Sequence, residues 1–316
     1  MAKVCFWGTR GSLPVSATAD TVRAKLHRAL KTARNYNIGT DESIESFINN
    51  HLSFSDWGSY GGNTSCVEIR DSEEYVLCDA GSGLRDFGNY IMKSGRGKAP
   101  CVFNIFLSHL HWDHIQGFPF FTPAFIPGNM MNIYGFHKEL EETFIRQQEY
   151  PNFPVPLKAM RADINFHVLD PEEEYEIAGY KVMGMRQTHP GFSYGYSFAK
   201  DGRKIVYSTD SEHKKDDQDS LIKFFEGADL LIFDAQYSFL DAIDTKEDWG
   251  HSSNMLAVEL SIGANVKRLC LFHHEPAYSD ETLDQLYKDT VEYSQITSPE
   301  HPVKVDIAYD GLEIDI

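Results

Sequence analysis

The chain has 316 residues, 42% hydrophobic and 13% aromatic, which supplies a packed core and excludes wholesale disorder. Its formal charge of −18, from 47 acidic against 29 basic residues, opposes the approach of long polyanions, so tight non-specific nucleic-acid binding is not expected. No apolar run approaches the roughly 20 residues of a membrane span, and the start of the chain, Lys3 into Val4-Cys5-Phe6-Trp7, carries no signal-peptide pattern; a cytoplasmic location without membrane attachment is the expectation.

In chain order, a first strand is predicted at 4–7. Residues 15–57 break the rhythm that follows: an Ala/Lys/Arg-rich helical pattern at 17–33, a break at 35–39, and a second helix at 41–49 that Thr40 could cap. This segment reads as a helical insertion, with a lid, a dimer contact or a solvated decoration all open. Strands are predicted at 66–69, 75–78 and 102–107, with a helix at 84–92. Residues 118–156, rich in proline and aromatics, read as a long irregular connection holding a helix at 138–148. Strands at 180–185, 194–198, 204–207, 230–233 and 268–272 alternate with helices at 217–225, 253–262 and 280–293. Strands from both halves with helices between them imply an α/β fold, helices packed outside a two-sheet core, in one domain spanning 1–316.

The densest chemistry is Ser108-His109-Leu110-His111-Trp112-Asp113-His114, directly after a predicted strand. Imidazole nitrogen and carboxylate oxygen are ligands that zinc, iron and manganese accept without a thiolate. The C-terminal end of a strand is also where α/β sheets place their binding sites. His109 and His111 share a side if extended, while Asp113 and His114 can follow the chain into a helix and face a second ion. Three further candidates end later strands: His189 in Gln187-Thr188-His189-Pro190-Gly191, Asp210 in Tyr207-Ser208-Thr209-Asp210, and His273. The five cysteines, Cys5, Cys66, Cys78, Cys101 and Cys270, show no CxxC spacing and read as reduced core residues.

The order His-x-His-x-Asp-His, His, Asp, His resembles the metallo-β-lactamase superfamily of dinuclear hydrolases over nearly the whole chain. Gly8-Thr9-Arg10-Gly11-Ser12 and Cys78-Asp79-Ala80-Gly81-Ser82-Gly83 look like that family's opening strand–turn and second glycine-rich turn. Gly250-His251-Ser252-Ser253, an amphipathic helix, Val266-Lys267-Arg268-Leu269 and His273 are similar to the histidine motif of its phosphodiesterase branch, which holds ribonuclease Z and the cyclic-phosphate esterases. Asp234, in Phe233-Asp234-Ala235-Gln236-Tyr237, stands where that branch has an acid partner for this histidine.

The resemblance implies a four-layer αββα metallo-β-lactamase sandwich with a helical insertion near the N-terminus. It also implies two divalent metal ions, zinc first, with manganese or iron as alternatives. One ion would be held by His109, His111 and His189, the other by Asp113, His114 and His273, with Asp210 bridging; His274 is the alternative to His273. Asp79 would accept a hydrogen bond from a ligating imidazole. Asp113, His251 and Asp234 are the catalytic candidates: a metal-bridging hydroxide attacks, and His251, oriented by Asp234, protonates the departing alkoxide.

The function expected is hydrolysis of small phosphodiesters of the cyclic nucleotide or cyclic phosphate type, with a lactone or other ester hydrolase on the same metal site as the alternative. True lactamases usually carry a cysteine where Asp210 stands. In ribonuclease Z a long RNA-gripping arm lies between the counterparts of His189 and Asp210, where this chain has only twenty residues. With the acidic charge, this argues for a small-molecule phosphodiester substrate, no long nucleic acid, and a homodimer as the default assembly. Arg10 is a candidate phosphate contact or an exposed salt-bridging arginine.

Overall fold

Two seven-stranded sheets face each other, and their composition explains why the runs seen in the sequence differ in character. The structure, a computed structural model, describes residues 2–95, 100–171, 173–212, 217–238 and 250–316. The first sheet contains β1 (Lys3–Gly8), β2 (Cys66–Arg70), β3 (Tyr75–Cys78), β4 (Val102–Phe106), β5 (Met130–Gly135), β6 (Asp163–Val168) and β14 (Glu313–Asp315), in the order β14-β1-β2-β3-β4-β5-β6. The second contains β7 (Glu174–Ile177), β8 (Tyr180–Gln187), β9 (Ser193–Lys200), β10 (Arg203–Ser208), β11 (Leu230–Asp234), β12 (Arg268–Phe272) and β13 (Lys304–Ile307), in reverse sequence order. Strands β3 to β6 pair in parallel, as do β10 to β13. Parallel strands are covered on both faces, which is why all of Leu230–Asp234 is buried and reads as a continuous apolar run.

Between the sheets lies a core drawn from both: Val4, Phe6, Val67 and Phe106 meet Tyr196, Phe198, Tyr207 and Phe272. Outside the first sheet, α4 (Gly83–Lys93) contributes Leu84, Phe87 and Ile91, and α6 (Leu140–Gln147) contributes Leu140 and Phe144. Outside the second pack α7 (Gln218–Phe225), α8 (Asn254–Gly263) and α9 (Asp280–Thr297). The layers are therefore helix, sheet, sheet, helix, the αββα sandwich that the resemblance implied.

Between β1 and β2 run α1 (Ala19–Ala33), α2 (Asp41–His51) and α3 (Phe54–Trp57). Thr40 caps α2 in a reciprocal capping box with Ser43. No residue of α1 is buried; Lys25 holds it to Asp280 at 2.5 Å and Arg28 to Asp56 at 2.5 Å. No helix among the described residues is long and apolar enough to cross a membrane.

Five strands escaped prediction, and four of them, β6, β7, β13 and β14, are the sheet edges. Edge strands are short and half-exposed and carry charge that discourages further pairing, so they lack an apolar signature. The fifth, β5, lies within 118–156 and corrects the reading of that stretch as irregular: it pairs with β4 and β6 and buries Met131 and Ile133.

Candidate metal centre

The candidate residues leave the same end of the sandwich, following the C-terminal ends of β4, β8, β10, β11 and β12. After β4 the chain runs to His111, whose extended backbone takes the N-cap position of the short helix α5 (Trp112–Ile115) without a side-chain capping bond. That turn sends Asp113 and His114 inward, where both are buried. Several neighbours adopt left-handed backbone without being glycine: Ser12 at φ 56°, Asp79 at 62°, Asp210 at 39° and His273 at 61°. Such conformations are costly for L-residues, and they recur here within one site.

Two groups of ligand-capable atoms meet here, His109, His111 and His189, and then Asp113, His114, Asp210 and His273, each with its atoms within 4.8 Å of one another; two overlapping groups, His189 with Asp210 and His251, and Asp234 with His251 and His273, meet the same limit. His111 Nδ1 lies 3.2 Å from His189 Nε2. Asp210 faces both groups. Its Oδ2 is 3.7 Å from His109 Nε2 and 3.9 Å from His189 Nε2, while its Oδ1 is 3.2 Å from both His114 Nε2 and His273 Nε2. Asp113 Oδ2 is 3.2 Å from His114 Nε2 and 3.3 Å from His273 Nε2, and the Ser12 backbone N–H donates to the same oxygen at 2.8 Å.

His273, not His274, turns into this cluster. His274 Nε2 instead bonds the Ala308 carbonyl at 2.8 Å; burial, with Arg10 beside it, pushes its pKa down to about 3. Gly11 makes room for His273: a Cβ at Gly11 would lie 2.7 Å from the His273 ring.

Asp79 gathers four donors. Its carboxylate accepts from His114 Nδ1 at 2.7 Å, from the Tyr207 hydroxyl at 2.6 Å, and from the Ser108 N–H at 2.8 Å and hydroxyl at 2.9 Å. The carbonyl of Gly250 accepts from His189 Nδ1 at 2.8 Å. His251 Nδ1 lies 2.9 Å from Asp234 Oδ2, and Asp234 also accepts the backbone N–H groups of Ser211 and Gln236. Sequence reasoning missed Ser12, Ser108, Tyr207, Ser211 and Gln236 in these supporting roles; their only signal was a place within a motif, or for Ser211 directly after one.

The Arg10 guanidinium is buried and turned away from the cluster. Its Nε donates to Gly61 O at 2.9 Å and its Nη1 to Glu275 O and Tyr278 O, with Asp280 at 3.7 Å. This is neither the phosphate contact nor the exposed salt-bridging arginine expected: the side chain is buried and is held mainly by backbone carbonyls.

Electrostatics favour a cation here. Burial drives His109 well below the usual imidazole pKa, and burial likewise lowers His111 and His189, which keeps these three nitrogens free to coordinate. Burial would raise the Asp210 and Asp113 pKa values, but the adjacent imidazoles, His114 above all, outweigh it and hold both carboxylates well below their usual range. Burial would also lower the His251 pKa, yet Asp234, with Asp210 and Asp113 further off, keeps it raised. His109 Nε2 and His114 Nε2 are buried without a hydrogen-bond partner among the described residues. Orphaned imidazole nitrogens facing buried carboxylates are the donor set a divalent transition metal takes, so the residues fit such ions.

A family model described as the Beta-lactamase superfamily domain matches residues 74–274. Ribonuclease Z of Picrophilus torridus is 27% identical over 277 residues, covering 71% of this chain and 84% of that protein. Among solved structures, the metallo-beta-lactamase fold protein YhfI from Bacillus subtilis superposes with a TM-score of 0.65 at 18% identity, covering 99% of this chain and 98% of that one. Human tRNase Z, short form, does so with a TM-score of 0.60 at 22% identity, covering 99% of each chain. The two ribonucleases correct one expectation, that long nucleic acid is not a partner, since by name such relatives act on RNA. Net charge describes the far field of the whole surface and not the few ångströms around a cationic centre, which is why it misled.

Proposed function

This chain belongs to the beta-lactamase superfamily, and on that footing we propose that it is a phosphodiesterase working with two divalent ions, zinc first, with manganese or iron as alternatives. His109, His111 and His189 would hold one ion and Asp113, His114 and His273 the other, with Asp210 between them. Two such ions would lower the pKa of water toward neutrality and neutralise charge building on the phosphate.

The observation that carries the reading is the Asp210 carboxylate, whose two oxygens face the two groups separately, with the His251–Asp234 pair beside it. In this reading Asp234 holds Nδ1 of His251, leaving Nε2 to deliver a proton to the departing alkoxide. Asp234 pushes the His251 pKa up, the direction a proton donor needs, and it would stabilise the cationic ring before transfer. Ser12 keeps Asp113 in place, and Asp79 does the same for His114.

Small diesters of the cyclic nucleotide or cyclic phosphate type are the finer reading. What supports it is that the segment between His189 and Asp210 is taken up by a turn, β9, a hairpin and β10, so no arm extends there.

The test is a pair of diesters on metal-loaded protein, one releasing p-nitrophenolate and one releasing a poor alkoxide, with cyclic nucleotides and precursor tRNA run alongside. His251→Ala should slow the poor leaving group by about 10²–10⁴-fold and p-nitrophenolate far less, because only the alkoxide needs protonation. Equal losses on both would remove His251 from the role. Turnover of a lactone with no diester cleaved would overturn the phosphodiesterase reading itself.

A further inference from the structure

Trp112 stands inside the ligand run, between His111 and Asp113, yet its residue is 83% exposed. The backbone dictates this: the turn into α5 that drives Asp113 and His114 inward drives Trp112 out. Its indole has no ring partner and no hydrogen bond among the described residues. An indole left in water forgoes the burial that usually justifies so large a side chain.

A second aromatic follows His189, the buried imidazole beside exposed His111. Phe192, 47% exposed, follows His189 by three residues at a left-handed φ of 63°. Its N–H donates to His189 O at 2.8 Å, and His137 Nε2 contacts its carbonyl at 3.0 Å. The Arg186 guanidinium sits 3.5 Å from its ring centroid. A strained backbone and a cation on one face thus hold Phe192 in place. Because His111 and His189 lie with ring centroids 5.0 Å apart, the chain segments carrying Trp112 and Phe192 bracket the same pair of imidazoles.

From this juxtaposition we propose that Trp112, with Phe192 on the segment that follows His189, is a stacking platform for a nucleobase next to the scissile phosphate, making nucleobase-bearing diesters the preferred substrate class. The inference rests on the phosphodiesterase reading and narrows it. Stacking suits this position because every base offers a π-face and the ring's other face needs no protein contact. A cyclic or linear diester without a base gains nothing from it.

The experiment compares thymidine 5′-(p-nitrophenyl phosphate) with methyl p-nitrophenyl phosphate, which release the same p-nitrophenolate. The metal-loaded protein should prefer the thymidine diester in kcat/KM by about 5- to 150-fold, the range of one stacked base. Trp112→Ala should bring that preference close to one mainly through KM, and Trp112→Phe should keep most of it. Metal content of each variant is measured in parallel, so that a lost ion is not mistaken for lost stacking. Separately, AMP titrated into the metal-loaded protein should quench indole emission in the wild type and much less in Trp112→Phe. No preference in the wild type, or an unchanged preference in Trp112→Ala, would overturn the platform while leaving the phosphodiesterase reading intact. Quenching that depends on Trp112 in a protein that cleaves neither diester would uphold the platform and overturn the phosphodiesterase reading.

Discussion

Gly11→Ala isolates the role of His273 with a single methyl group. Gly11 lies outside the left-handed region, so alanine meets no backbone penalty there. The added Cβ would lie 2.7 Å from Cε1 and Nδ1 of His273 and 3.1 Å from its Nε2. Ordinary carbon contacts need about 3.5–4.0 Å, so one side must yield by roughly 0.8 Å or more. The loop cannot yield easily. Gly11 N–H donates to His274 O at 2.9 Å, His274 N–H to Thr9 O at 3.0 Å, and Ser12 N–H to Asp113 Oδ2 at 2.8 Å. The imidazole therefore moves. Metal–nitrogen bonds tolerate only about 0.2 Å of error, so the displaced ring would leave the second of the two proposed ions short of a ligand.

Overpacking of this kind costs about 1–3 kcal/mol, which in a chain of 316 residues is a fall in Tm of about 2–5 °C. Metal content should drop from about two equivalents toward one, with diester turnover lost in proportion. Elemental analysis and a zinc competition titration read the first effect, and scanning calorimetry the second. The matched control is Gly39→Ala, whose methyl meets only Asn37 Oδ1 at 3.5 Å. A Gly11→Ala protein that keeps two equivalents and wild-type activity would refute the placement of His273 as a ligand.

Asp79→Asn leaves one carboxamide oxygen for a site that now receives four donors, so zinc affinity should fall about 10–100-fold; an unchanged Kd would show that His114 does not depend on this support. Burial holds every thiol above its usual pKa, Cys5 at about 12, and only Cys101 is less than fully buried. A thiol reagent at pH 8 should therefore titrate about one group in the native protein and all five after denaturation. Several fast-reacting thiols would contradict the packing around Cys66, Cys78 and Cys270.

The His109 to His114 run was legible because its members are neighbours: any path through it keeps several imidazoles together, and the strand before it fixes where they emerge. The distant candidates His189, Asp210 and Asp234 were legible because each ends a strand whose apolar run was plain. The four edge strands were not, since they are short and interleave charged, exposed positions with the few apolar ones, such as Val305, Ile307 and Ile314, that they bury. His273 and His274 were indistinguishable as letters. The backbone reversal at His273 and the Ala308 carbonyl beside His274 separate them. Arg10 likewise took its meaning from the Gly61, Glu275 and Tyr278 carbonyls around it.

By itself, then, the sequence determined the kinds of chemistry present and the local period of most elements, because residue type and spacing along the chain are local properties. Which atoms stand within a few ångströms of one another was decided only by the tertiary structure. Asp210 can face two groups at once because strands far apart in the chain pack side by side and end at one level, a convergence set by long-range pairing and core packing that no short stretch of residues contains.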